Sequence, residues 1–134
     1  MTMHTPGLEA QHSALADLSS RYVEVNKLPW QETQFPGVRI KVLMQDPETG
    51  LQTILTEMAP GAVLTDHEHT QVEQSWILSG SLVDHEGEAH AGEFVWRPAG
   101  SRHTAHADCR PFDGFSRHSA SYGACGDAGP QPQP

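Results

Sequence analysis

Two histidines one residue apart, with a glutamate four positions further on, stand in the stretch Thr65-Asp66-His67-Glu68-His69-Thr70-Gln71-Val72-Glu73. In an extended chain residues two apart share a face, so His67 and His69 are predicted to point the same way. Glu73 follows after a gap short enough for a tight bend into the next strand. Two imidazoles and one carboxylate brought together this way supply half of an octahedral metal shell. That donor set favours Fe(II), Mn(II), Ni(II) or Zn(II) over Mg(II) and Ca(II), which prefer all-oxygen shells. A second stretch runs from Gly92 to Ala107: a strand ends near Pro98, the chain turns at Gly100 and re-enters with His103.

The segments that must position these residues read as strands. Val38–Met44 alternates and carries β-branched residues. Asp46-Pro47-Glu48-Thr49-Gly50 is turn chemistry, and Leu51–Met58 returns as the second arm of a hairpin. Pro60-Gly61 breaks that arm. Short strands are predicted at Val72–Leu78, Ser81–Asp84, Gly92–Trp96, Arg102–Ala107 and Phe112–His118, at roughly the 8–12-residue spacing of a sandwich or small barrel. Residues 1–21 form an N-terminal extension in which Leu8, Leu15 and Leu18 could line one side of a short helix. Residues 22–119 are expected to form one all-β domain, and residues 120–134, rich in Gly, Pro and Gln, a disordered tail.

The two histidine-bearing stretches resemble the two signature motifs of the cupin superfamily. Gly61, His67, His69, Glu73 and Gly80 match G-x5-H-x-H-x3-E-x6-G, and Gly92, Pro98, Gly100 and His103 match G-x5-P-x-G-x2-H. The resemblance covers residues 61–107 and implies a double-stranded β-helix (jelly-roll) barrel with a central metal held by His67, His69, Glu73 and His103. The family's usual Asn at the end of the second motif is Ala107 here, and the segment between the motifs is short. Cupins commonly dimerise by exchanging N-terminal strands, which implies a homodimer. Trp30, Pro36-Gly37-Val38, Thr49–Thr53, Met58–Gly61 and Ile77–Gly80 are similar to the cupin domain of zinc-dependent anti-sigma factors. That subgroup also includes small iron dioxygenases that cleave β-diketones and hydroxylated acetophenones, commonly at a three-histidine iron site.

Three functions follow from the resemblance. The first is a mononuclear Fe(II)-dependent dioxygenase acting on a small oxygenated substrate of the β-diketone or hydroxyketone type. The second is a regulatory, metal- or ligand-sensing module of the anti-sigma type. Residues 1–37 carry His4 and His12 but no cysteine, so they do not supply the zinc-binding helical domain such proteins place before their cupin. The third is sugar isomerase or epimerase chemistry, which usually needs further acidic and basic groups in the barrel.

Around the metal residues, Ser75 and Ile77 share the parity of Glu73 and are candidates for lining a substrate pocket. Arg97 and Arg102 bracket the Pro98-Ala99-Gly100 turn, where an Arg can clamp a carboxylate or enolate or else pair with a surface acid. Trp76, Phe94 and Trp96 are expected as core or dimer-face aromatics. His106, three residues past His103, should face the other way, and His85 and His90 flank a solvated turn.

The charge of the chain narrows the class of partner. Its 134 residues carry 17 acidic and 8 basic side chains, a formal charge of −9. This argues against binding nucleic-acid phosphates. Lys27 and Lys41 are the only lysines, so a basic membrane-binding surface is not expected either. Two cysteines, Cys109 and Cys125, make no disulfide framework and fit a reducing cytoplasm.

Overall fold

The computed structural model describes residues 2–107. The predicted strand at Phe112–His118, Cys109 and the segment 120–134 lie outside the described residues. Nine strands follow one α-helix and one 3-10 turn: α1 (Glu9–Ser13), the turn at Val25–Lys27, β1 (Gln31–Glu32), β2 (Val38–Asp46), β3 (Leu51–Met58), β4 (Val63–Glu68), β5 (Glu73–Trp76), β6 (Ser81–Val83), β7 (Glu88–His90), β8 (Phe94–Arg97) and β9 (Arg102–Ala107). The described residues are therefore nearly all β, as the spacing of turn signals predicts. Among the described residues no helix is long and apolar enough to cross a membrane.

Strand order is β1-β2-β3 in one sheet, β4-β9-β6-β7 in a second and β5-β8 in a third. The chain divides into two compact units, Met1–Gln31 with Ile40–Leu55, and Glu32–Arg39 with Thr56–Pro134. β2 and β3 run through both.

In the first unit the β2–β3 turn is closed by Gly50 N–H donating to Asp46 O at 2.8 Å. Asp46 organises this turn through its side chain. Oδ1 accepts Glu48 N–H at 3.1 Å and Oδ2 accepts the Thr49 hydroxyl at 2.8 Å. Hydrogen bonds from the Thr2 and Thr49 hydroxyls hold the Asp46 carboxyl below its usual range. The N-terminal segment is tied to β2 by an isolated bridge between His4 and Gln45. The Leu8/Leu15/Leu18 face expected of a helix does not form. α1 is only five residues with no buried side chain, and Leu15 and Leu18 are exposed.

The second unit holds the apolar core: Val38, Met58, Ala62, Ile77, Leu82, Ala105 and Ala107, with Phe35, Leu64 and Ala89 packed against them. Alternation along β9 is strict, with His103, Ala105 and Ala107 inward and Arg102, Thr104 and His106 outward. Two strands were not apparent as separate elements in the sequence. β4 carries the first histidine motif, and β7 pairs with β6 to turn the short Ser81–Ala91 segment into a hairpin.

β4 is not a regular strand. Its pairing with β9 runs Val63↔His106 and Leu64↔Ala105, then His67↔His103 and Glu68↔Arg102. Three residues on β4 thus span two on β9, which is a bulge of one extra residue. Leu64 faces the core opposite Ala105. In an unbroken strand the even-numbered residues of β4 would continue inward and His67 would point to solvent. The bulge reverses the parity and turns His67 inward, opposite His103.

Candidate metal centre

Each of the four motif residues is placed by a different backbone device. His67 owes its orientation to the β4 bulge. His69, one residue past β4, is pinned to the Pro98–Ser101 turn, with its N–H donating to Ser101 O (2.9 Å) and its carbonyl accepting from Gly100 N–H (2.6 Å). Gly100 sits at φ 89°, a conformation that favours glycine. Glu73 opens β5 and pairs with Arg97 of β8. His103 lies on β9 with its side chain buried.

These devices bring one ligand atom from each of His67, His69, Glu73 and His103 to within 4.8 Å of one another. The three imidazole rings have centroids 4.6 to 4.9 Å apart.

The protons on the rings follow from their partners. His67 Nδ1 lies 2.7 Å from Thr65 O, which can only accept. His103 Nδ1 lies 3.1 Å from Asp84 Oδ2, an acceptor when ionised. Both rings in their neutral form therefore carry the proton on Nδ1, and their Nε2 lone pairs face each other at 3.1 Å. His69 Nδ1 is 3.0 Å from Glu73 Oε2, while His69 Nε2 is buried without a hydrogen-bond partner. Buried lone pairs left in this state are what a cation would satisfy, so the residues present fit a divalent transition metal. Burial holds the His69 pKa below that of a free histidine and so favours the neutral form that ligates, while Glu73 pulls the other way.

A second layer of groups stands behind the four. Asp84 Oδ2 accepts from His103 Nδ1 and, at 2.9 Å, from Arg97 Nη2. Its Oδ1 accepts the backbone N–H of Glu86 (2.9 Å) and Gly87 (3.1 Å). Burial pushes the Asp84 pKa up, but the His103 and backbone hydrogen bonds with Arg97 outweigh it, and the net shift is down. Arg97 Nε reaches to 3.5 Å from Glu73 Oε1, so the guanidinium lies between the two carboxylates.

The remaining sequence candidates separate clearly. Arg97 is buried beside the four residues, and Ser75 is half-buried with its hydroxyl donating to Glu73 Oε1 at 3.4 Å. Ile77 is fully buried in the apolar cluster. Arg102 is exposed, pairing with Asp66 at 2.8 Å and Glu68 at 3.8 Å, so the fold does not bring it to the site. Trp76, Phe94 and Trp96 lie on the exposed face of β5 and β8, and none belongs to the core. His106 is exposed on β9, and His90 is paired with Glu88 and Glu93.

Asp84 was not among the sequence candidates. The string Asp84-His85-Glu86-Gly87 signals a side-chain-capped turn, which accounts for one of its oxygens. Nothing local signals the second oxygen, whose partners are 13 and 19 residues away.

Among families, the model of the ChrR cupin-like domain matches residues 18–118. No curated protein matches the sequence. Among solved structures, the chain is similar to Rhodobacter sphaeroides SigE in complex with the anti-sigma ChrR, at 25% identity and a TM-score of 0.52. That match covers 62% of this chain and 43% of the other, so the chain spans less than half of that relative's length. It is also similar to a protein of Methylibium petroleiphilum proposed to be an acetylacetone dioxygenase: identity 22%, TM-score 0.61, coverage 68% and 71%. An RmlC-like cupin from Shewanella frigidimarina matches at 18% identity and a TM-score of 0.56, covering 66% and 80%. These last two likenesses concern the fold, which is the cupin double-stranded β-helix. With three quarters of its length matched by that one family model, the chain belongs to the family of ChrR cupin-like domains.

Proposed function

We propose that this cupin is a mononuclear metal-dependent enzyme of the dioxygenase type, with Fe(II) held by His67, His69, Glu73 and His103. Its substrate is a small oxygenated molecule of the β-diketone or hydroxyketone class. The observation that carries this reading is the convergence of three imidazoles and one carboxylate, with His69 Nε2 buried and without a hydrogen-bond partner.

When bound, such an ion supplies Lewis acidity and one-electron redox chemistry. The chain's own residues set its charge and its surroundings. Three neutral imidazoles and one carboxylate leave one net positive charge on a divalent ion, a match for a mono-anionic enolate. Asp84 and Arg97 neutralise each other, so this second layer adds no charge. Ser75 donates its hydroxyl to Glu73 Oε1 at 3.4 Å, which helps to orient that carboxylate.

A second reading, a metal-holding regulatory module, is favoured by the family match and by the anti-sigma protein among the similar structures. An oxygen electrode separates the two. Protein with its iron content measured is mixed with a panel of β-diketones and hydroxyketones. Uptake that requires one of these substrates, and that is lost in His69→Ala, supports the enzyme. Glu73→Ala should be milder, because three imidazoles remain to hold the ion. No uptake with any substrate from iron-loaded protein would overturn catalysis in favour of the regulatory reading.

A further inference from the structure

We propose that Asp84 is the positioning residue of the metal centre: it fixes His103 in the tautomer and orientation that ligate, and Arg97 bridges it to Glu73. This rests on the reading of His67, His69, Glu73 and His103 as metal ligands. The side chain of Asp84 is 5% exposed and that of Arg97 is 9% exposed, so both ions are shielded from water. One oxygen of Asp84 faces outward to the β6–β7 turn and takes two backbone N–H groups. The other faces inward and takes His103 Nδ1 and Arg97 Nη2. A carboxylate behind a ligating imidazole holds the proton on the far nitrogen, raises the basicity of the near one and restricts ring rotation. Arg97 Nε approaches Glu73 Oε1 to 3.5 Å as an ion pair without a hydrogen bond. Through it the Asp84 carboxylate is coupled electrostatically to Glu73, so two of the four ligands, from different sheets, share one ionic neighbourhood.

The two oxygens make the roles separable. Asp84→Asn keeps a carbonyl oxygen able to accept from Glu86 and Gly87, and so preserves the turn. It places an amide N–H2 against the N–H of His103 and the guanidinium of Arg97, donor against donor.

Zn(II) affinity is measured by competition with a chromophoric chelator, alongside circular dichroism and melting of the metal-free proteins. In Asp84→Asn the affinity should fall about 10–100-fold, the usual effect of removing such an outer partner. Its metal-free secondary structure should match that of the unsubstituted protein. Long-range 15N–1H NMR of the unsubstituted, metal-free protein supplies an arm that needs no variant, and neutral His103 should carry its proton on Nδ1. Equal zinc affinity in Asp84→Asn would overturn the proposal, as would neutral His103 protonated on Nε2. Failure of the unsubstituted protein to bind zinc would instead overturn the metal-centre reading, and the proposal with it. If Asp84→Asn does not fold, the tautomer of His103 decides.

Discussion

His67 and His103 are direct cross-strand partners, and their Nε2 atoms stand 3.1 Å apart with both Nδ1 atoms committed to acceptors. Two neutral rings so arranged oppose lone pair to lone pair. A proton shared between them, or a cation coordinated by both, removes that repulsion.

Zn(II) or Fe(II) should therefore raise the melting temperature of the protein. Binding only to the folded state adds about 2.7 kcal/mol at a hundredfold excess over Kd. His67→Ala and His103→Ala each remove one donor and should lose most of that metal-dependent gain. An undiminished thermal shift in the double variant would remove His67 and His103 from the site.

β5 should show opposite sensitivities at adjacent positions. Ile77, just beyond it, is fully buried, and Ile77→Ala should destabilise the protein by about 2–5 kcal/mol. Trp76 is 64% exposed, and Trp76→Ala should stay within about 0.5 kcal/mol. Urea unfolding of the two variants checks the assignment of faces. A larger loss at Trp76 would reverse it.

Gly37 and Gly50 separate backbone conformation from packing. Both have positive φ, 79° and 77°. A Cβ on Gly50 meets nothing within 4 Å, whereas one on Gly37 lies 3.2 Å from the Cβ atoms of both Ala59 and Ala62. Gly50→Ala should cost about 1–2 kcal/mol, the penalty of the left-handed conformation alone. Gly37→Ala should cost more, because the chain there must also shift. Equal losses in denaturant unfolding would show that the contact at Gly37 is readily relieved.

His90 should titrate above the ordinary histidine value. Its ring is hydrogen-bonded first to Glu93 and then to Glu88, and both stabilise the charged form. Because the folded pKa is raised, the stabilisation is complete below the unfolded value of about 6.5 and disappears as pH rises through the folded one. A proton-NMR titration should place the His90 midpoint above 6.5 (the reference value), and Glu93→Gln should lower it. A midpoint unmoved by that substitution would dissociate the pair.

Much of this architecture was legible in the sequence, and the parts that were not have identifiable causes. The Pro47–Gly50 turn and its flanking alternation announced the β2–β3 hairpin, and spacing alone singled out His67, His69 and Glu73. The β4 bulge left no signature, because Val63–Glu68 reads as ordinary extended chain and the extra residue appears only through its pairing with β9. In β5 the usual polarity of a strand is inverted. Glu73 and Ser75 turn inward because that interior is a polar site, while Trp76 faces out. Parity with Glu73 was enough to place Ser75 on the inner face, whereas the sequence left Trp76 open between the core and an outer face. Asp84 and its pairing with Arg97 were hidden for a further reason: an ion pair between distant segments is a property of the fold, and no local pattern encodes it.

The inverted polarity of β5 and β8 has an optical consequence. Trp76 and Trp96, two of the three tryptophans in the chain, sit on the outer face of the strands whose other face bears Glu73 and Arg97. Their indole emission arises one strand layer from the candidate centre, in contact with solvent. A coloured ion such as Co(II) or Cu(II) entering that centre accepts excitation energy and dims the emission, whereas colourless Zn(II) does not. Tryptophan emission would thus distinguish a coloured ion from a colourless one at the candidate centre.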